Sequence, residues 1–174
     1  MLVYNFLAAR WAEDDLARRR IKISRFDDLN DPFELMAVEL KDKAVRKAFQ
    51  AVRDHMCANR GVICFSRGWH NPLLWSHYAE KHHGVCFGFE LPDVNITSVL
   101  YDPKRLLAAA TGHYFKDFGA DMVLREVILG PRYSGSASPI AALARACGRR
   151  VSIIHSRLAF KSFRVVRDKS RVVV

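Results

Sequence analysis

Apolar and polar positions change period several times along the chain, and each change predicts an element. Leu2 to Leu7 is an apolar run of strand length, and a helix is predicted from about Ala8 to Arg19 with Leu7 and Trp11 facing inward. From Arg20 the string Arg20-Ile-Lys-Ile-Ser-Arg-Phe26 alternates, the period of a half-buried strand. It runs into turn formers, Asp27 to Asp31, and then Pro32, whose ring fixes its own φ and keeps Asp31 out of the helical region. Val45, Ala48, Phe49, Val52 and Met56 recur at three and four, predicting an amphipathic helix between Val38 and Asn59 that Gly61 stops.

Gly61 to Phe89 reads as strand, loop, helix, strand. Val62 to Phe65 is the first strand and delivers Ser66 to its carboxyl end. Asn71 is placed to cap a helix with Pro72 at its first position. On that helix Trp75, Tyr78, Ala79 and His82 fall at i, i+3, i+4 and i+7 on one face, while His77 points elsewhere with Leu73 and Lys81. Val85 to Phe89 is the returning strand. Further on, Ile96 to Tyr101 is a candidate strand and Asp102-Pro103 opens a short helix that Gly112 breaks. Met122 to Leu129 is a buried strand carrying Glu126. Gly135 to Pro139 is a connector, with Ser138 as cap and Pro139 at the start of a helix that ends at Cys147 before Gly148. Val151 to Ile154 and Phe163 to Val174 close the chain as strands. The elements intermix without strict alternation, which predicts an α+β fold: one domain over 1–174, a mixed, mainly antiparallel sheet flanked by helices, with 1–144 as core and 145–174 as basic terminal strands.

Composition narrows the class. Half of the 174 residues are hydrophobic, enough to bury one sizeable core and to argue against disorder. No apolar segment approaches the ~18 residues of a membrane span, and the start meets acidic residues too early for a signal peptide. A cytoplasmic protein with no membrane partner is expected, and its four cysteines, which form no C-x-x-C pair, are expected to be buried thiols. The net charge of +10 is unevenly spread: between Arg145 and Arg171 nine Lys or Arg face the single Asp168. That block is either a solvated face or a footprint for phosphate, in which case Arg149, Arg150, Arg157, Lys161 and Arg164 would contact a nucleic acid, a nucleotide or an acidic protein partner. Only Phe160 and Phe163 interleave there, so a sequence-reading nucleic-acid module is not indicated.

Two of the three Trp, four of the seven His and two of the four Cys fall between Gly61 and Phe89, which makes this the place to look for chemistry. The spacings do not fit a metal: there is no H-E-x-x-H, and His77 and His82 are five apart, off a common helical face. A Cys64 or Cys86 nucleophile is also disfavoured, since both lie within apolar runs. The Asn30-Asp-Pro-Phe-Glu34 corner can simply bond its own backbone, or it can turn the Asp31 and Glu34 carboxylates toward a ligand.

The order Leu29-Asn-Asp-Pro-Phe-Glu34, Cys64-Phe-Ser66, Trp75-Ser-His-Tyr-Ala79 and His83-Gly-Val-Cys86 with Phe89 resembles a bacterial domain family of unknown function associated with abortive infection and phage defence. Val3-Tyr4-Asn5-Phe6 and Glu126-Val-Ile-Leu-Gly130 fall where that family has a tyrosine-bearing first strand and a V-I-L-G strand. More distantly, the order of elements is similar to the ADP-ribosyltransferase-like fold of toxins and phage-defence proteins. That resemblance implies a cleft for NAD as substrate, with Tyr4 and Asn5 on the first strand, Asn30 at the corner, Ser66 at the rim, and Trp75 and Tyr78 offering aromatic faces. It also implies a strand carboxylate that stabilises the oxocarbenium-like transition state. The chain departs from the larger family in lacking an aromatic followed by E-x-E-x-R between Tyr101 and Leu124, which leaves Glu126 as the nearby acid on a strand. Two other readings stay open: a non-catalytic binding module using the basic terminal segment, and a phosphoester hydrolase using Asp31, Glu34 and His77 as acid-base groups.

Overall fold

The run Val85-Cys-Phe-Gly-Phe89 is apolar at every position, which in a strand means that both faces are covered. The computed structural model describes residues 1–25, 61–92, 114–148 and 150–171, together with the helical residues 43, 44, 47, 48, 50, 51 and 54. Its elements are β1 (Leu2–Leu7), α1 (Ala9–Ala17), β2 (Arg20–Arg25), β3 (Gly61–Val62), α2 (Pro72–Tyr78), β4 (Val85–Glu90), β5 (Tyr114–Asp117), β6 (Val123–Leu129), α3 (Ala137–Cys147), β7 (Ser152–Leu158) and β8 (Val165–Arg167). The fold is α+β. Two compact units make it up, one of residues 1–21, 64–96 and 117–174, the other of 22–63 and 97–116.

The larger unit holds a five-stranded sheet in the order β1-β4-β6-β7-β8. β4 lies between β1 and β6 and pairs antiparallel with each; β6 and β7 run parallel, and β8 returns antiparallel beside β7. Strand alternation puts Tyr4, Phe6, Cys86, Gly88, Glu126, Ile128 and Ile154 on one face. There Tyr4, Cys86, Ile128, Ile154 and Val165 form a cluster with Trp69, Trp75 and Ala79. Trp75 is its centre: the indole is fully buried, donates its N–H to the Trp69 carbonyl at 2.5 Å, and meets the edge of Phe6 at 5.1 Å. The opposite face carries Phe87 and Phe89, with Phe118 edge-on to Phe89 at 5.1 Å. α3 packs on β6 and α1 packs on α3, burying Ile140, Ala141, Ala144, Ala12 and Leu16. The smaller unit holds a three-stranded sheet in the order β3-β2-β5, with Ser24 opposite Val62.

Several elements differ from the sequence pattern. β3 stops at Val62 instead of reaching Phe65; the next residues form a loop in which Ser66 exchanges backbone bonds with Tyr4. Cys64 is therefore exposed, contrary to the expectation of buried thiols, whereas Cys86 is buried. α2 begins as predicted, with Asn71 accepting from the Leu73 N–H and Pro72 in the first turn, but ends at Tyr78. Glu80, Lys81 and His82 follow with φ of 49°, 52° and 75°, a left-handed run that non-glycine residues seldom adopt. The chain must turn there because β4 begins at Val85, opposite Leu7. His82 consequently leaves the Trp75 face; Ala79 stays buried beside Trp75, whereas Tyr78, in the last position of the helix, is 48% exposed. α3 is capped by the Ser136 hydroxyl, not by Ser138. β7 is longer than Val151 to Ile154, β8 is shorter than Phe163 to Val174, and β5 has no counterpart in the predicted elements. The predicted strand over Ile96 to Tyr101 and the short helix after Asp102 lie outside the described residues. Among the described residues no helix is long and apolar enough to cross a membrane.

Asp15, on the buried side of α1, is an acid with little access to water. Burial first, and the neighbouring Asp14 carboxylate second, push its carboxyl up to about 7, against the opposing pull of Arg20. Because the folded state holds this proton more tightly than the unfolded chain does, Asp15 lowers stability as pH rises from about 4 to about 7, and no further above that. Thermal unfolding measured across this window should show Asp15→Asn with a smaller decline than the native chain; parallel curves would refute the assignment. Truncating Trp75 to Ala should cost about 3–5 kcal/mol in denaturant titrations, while Tyr78→Ala should stay within about 0.5 kcal/mol. Equal losses at the two positions would mean that they do share the core.

Candidate functional site

Tyr4, Gly88 and Glu126 lie in register across three neighbouring strands. Strands stand ~4.8 Å apart, so the backbones of Tyr4 and Glu126 are separated by roughly twice that, and any side chain at the middle position would block the way. Gly88 leaves it open. A Cβ there would stand 3.0 Å from Glu126 Cβ and 3.1 Å from Tyr4 Cε1. Through this gap the Tyr4 phenol donates to Glu126 Oε2 at 3.0 Å. Glu126 has no ion-pair partner among the described residues, and its Oε1 accepts no hydrogen bond from them. The carboxylate is half-buried against apolar neighbours and is held by one neutral donor.

That environment marks the surrounding groups. Burial first, then the charge and hydrogen bond of Glu126, push the Tyr4 phenol above its ordinary value. Cys86, next along the same face, has its thiol pushed well up, by burial first and Glu126 second. It is inert as a nucleophile. On the other side of the register Glu126 pairs with Ser152, which is exposed, so the carboxylate sits where the buried cluster gives way to solvent. β6 also bulges here: Gly88 is opposite Glu126 but Phe89 is opposite Leu124, leaving Arg125 as the extra residue, and Arg125 pairs with Glu90 at 2.6 Å. Bulges of this kind re-aim side chains next to functional sites.

A loop frames the site from above. Ser66 bonds Tyr4 through both backbone groups, at 2.8 and 2.9 Å, and its hydroxyl donates to the Gly68 carbonyl at 2.9 Å. Asn5 donates to the Cys64 carbonyl at 3.0 Å. At the far end His70 accepts the Val165 backbone into the loop at 2.9 Å, and its Nδ1 lies 2.8 Å from the Val165 carbonyl. The loop is thus fastened to β1 at one end and to β8 at the other.

Of the residues singled out in the sequence, Tyr4, Ser66 and Glu126 come together, with Asn5 fastening the loop beside them. Trp75 forms the buried wall behind them, so its ring is core and presents no aromatic face to a ligand. His77 and Tyr78 are exposed on α2 with ring centroids 6.3 Å apart. Arg150, Lys161 and Arg164 are exposed and Arg157 is half-buried. Asn30, Asp31, Glu34 and Arg149 lie outside the described residues. Gly88 was missed by sequence reading, although a glycine inside a strand is a signal for close approach. Among the described residues no three His, Cys, Asp or Glu gather as a metal site would require.

Two surface grooves lie elsewhere. One of about 800 Å³ is lined by Arg10, Glu13, Glu80, Lys81, His83 and Arg132 among others, and one of about 410 Å³ by Met1, Glu90 and Arg125 among others. Neither includes Tyr4 or Glu126. In the first groove Glu80 is already engaged: it accepts from the Ala9 N–H at 3.3 Å and faces Arg10 at 4.0 Å. The uncompensated carboxylate is the stronger mark of chemistry. Comparison with protein-family models, curated proteins and solved structures gave no match.

If Gly88 is the gap that allows the Tyr4–Glu126 bond, Gly88→Val should cost on the order of 1–3 kcal/mol and lower the ionisation pH of Tyr4. Tyr4→Phe should cost about 1.5–3 kcal/mol, as removal of a donor from a charged acceptor does. Denaturant titration and ultraviolet phenol titration read both effects, and a Gly88→Val chain indistinguishable from native in the two would show that the approach is not close.

Proposed function

We propose that the chain is an ADP-ribosyltransferase-like protein that takes NAD as substrate at the solvent margin beside Glu126. The observation that carries the reading is the state of that carboxylate: half-buried, without a cation, fixed at Oε2 by Tyr4 and unpartnered at Oε1 among the described residues. Breaking the bond between ribose C1′ and the nicotinamide nitrogen sends the electron pair out with neutral nicotinamide and leaves positive charge on the ribose. A fixed carboxylate lacking its own counter-ion is suited to that charge, because its field is directed at the transition state and not spent on a cation. Oε1 is the atom that would accept a ribose hydroxyl. The acceptor's nucleophile then bonds to C1′ and gives up its proton.

The motif order from Asn30 to Cys86 and the placing of Tyr4 and Asn5 on the first strand support the same reading, as does the position of Arg150, two residues ahead of the Ser152 that pairs with Glu126, for a diphosphate. A role in phage defence or as a toxin is part of this proposal and rests on the resemblance of those motifs.

The test separates binding from chemistry. NAD should raise the melting temperature of the native chain, and Glu126→Gln, whose amide oxygen still accepts from Tyr4, should retain that rise. Nicotinamide release should fall about 10²- to 10³-fold in Glu126→Gln, the scale of losing one transition-state electrostatic contact. No thermal shift with NAD or ADP-ribose, or an unchanged release rate in the variant, would sink the proposal.

A further inference from the structure

β7 and β8 are joined by residues 159–164, Ala-Phe-Lys-Ser-Phe-Arg, and this tip exposes its aromatic residues instead of burying them. Phe160 is 89% exposed and Phe163 79%, with Leu158 at 54% beside them. The tip is nonetheless ordered by its own backbone: Ala159 donates to the Arg164 carbonyl and Arg164 to the Ser162 carbonyl, each at 2.9 Å. Two rings held in water on a braced loop contribute almost no burial to the fold, so their exposure is not explained by stability.

The charges around them are open to a further partner. Arg157, Lys161 and Arg164 make no ion pair among the described residues, although Arg157 adds, after the Ser170 hydrogen bonds and Arg171, to the field that holds the Asp168 carboxyl below its ordinary value. The one acid of the segment, Asp168, is engaged by Ser170, whose hydroxyl and N–H donate at 2.6 and 3.0 Å, and faces Arg171 at 3.8 Å. Arg157 stands over the Phe160 ring at 4.5 Å and donates to the Leu158 carbonyl at 3.0 Å.

We infer that this tip is a docking platform for single-stranded nucleic acid, in which Phe160 and Phe163 stack on bases while Arg157, Lys161 and Arg164 neutralise the phosphates between them. Rings that take any base face, flanked by cations that follow a backbone, give affinity without reading sequence. The same rings could in principle anchor a membrane surface, but a guanidinium already seated on the Phe160 face would have to follow the ring into hydrocarbon or be pulled away, and Lys161 and Ser162 separate the two rings. Stacking on the opposite face of Phe160 disturbs neither. The inference does not depend on Glu126 or on NAD.

Fluorescence anisotropy of the full chain with a labelled oligothymidylate of about 20 nucleotides tests it. Binding is expected to weaken roughly tenfold for each ring removed in Phe160→Ala and Phe163→Ala at fixed salt, with the slope of log affinity against log salt unchanged. Lys161→Gln with Arg164→Gln should instead reduce that slope by about 1 to 2. Both rings are exposed, so melting temperatures of the variants should match the native chain. The inference fails if the double Phe variant binds as tightly as the native chain, or if duplex DNA of the same length binds equally well. It also fails if vesicles of phosphatidylcholine and phosphatidylserine retain the chain while the oligonucleotide does not.

Discussion

A central strand buried on both faces must be covered twice, and here the two covers are unequal. On the Phe87 and Phe89 side the rings of Phe65 and Phe118 meet Phe89, and the eleven-residue α3 packs on β6 with α1 in turn packed on α3. On the Cys86 and Gly88 side α2 has seven residues, about two turns, and buries Pro72 and Trp75. One tryptophan therefore carries most of the helical contribution to that face, and the remainder falls to the loop that runs from Ser66 to His70. A loop can cover a sheet only if its backbone groups are paired, and this one is fastened at Tyr4 and at Val165. The cover ends beside Glu126, and a carboxylate placed there is half in and half out of water.

This arrangement explains which parts of the fold were legible beforehand. β1, β2, β4 and β6 follow from local period, and the extents of α1 and α3 from their apolar stretches and flanking residues, although Trp11, expected to face inward, is 54% exposed and the cap of α3 is Ser136. The extent of α2 was misjudged: Trp75 and Ala79 are buried together as the periodicity implies, but its extension to His82 presupposes that the helix continues, whereas the return of the chain to Leu7 decides where it stops. β3 shortened for a similar reason: Val62 to Phe65 has strand composition, but Ser66 is claimed by the edge of β1. Non-local pairing is invisible to a window of ten residues.

The candidate site shows the same division. Glu126 stands out in the sequence as an acid within an apolar strand, and Tyr4 as a polar ring within another. That they meet depends on the register of three strands and on the absence of a side chain at Gly88, neither of which spacing along the chain reveals. The sparseness of Phe160 and Phe163 argued only against a sequence-reading module, and their exposure is a property that the sequence does not show. Their significance lies in the turn between β7 and β8, which directs both rings outward.

Glu126 and the Phe160 tip each hold a group that the fold leaves only partly used: one a carboxylate with a single donor and no cation among the described residues, the other apolar area in water. They stand at opposite ends of one strand, since Ser152 at the start of β7 pairs with Glu126 and Leu158 at its end leads into the tip. Six strand steps separate them, roughly 20 Å. At that distance, with no shared side-chain partner, substitutions at one end should act independently of those at the other. A ligand as short as a dinucleotide engaged by the carboxylate would not reach both rings, while a single strand of several nucleotides could span the gap. On the two proposals made above, each feature would bind separately along β7, and only an acceptor long enough to occupy both would join them.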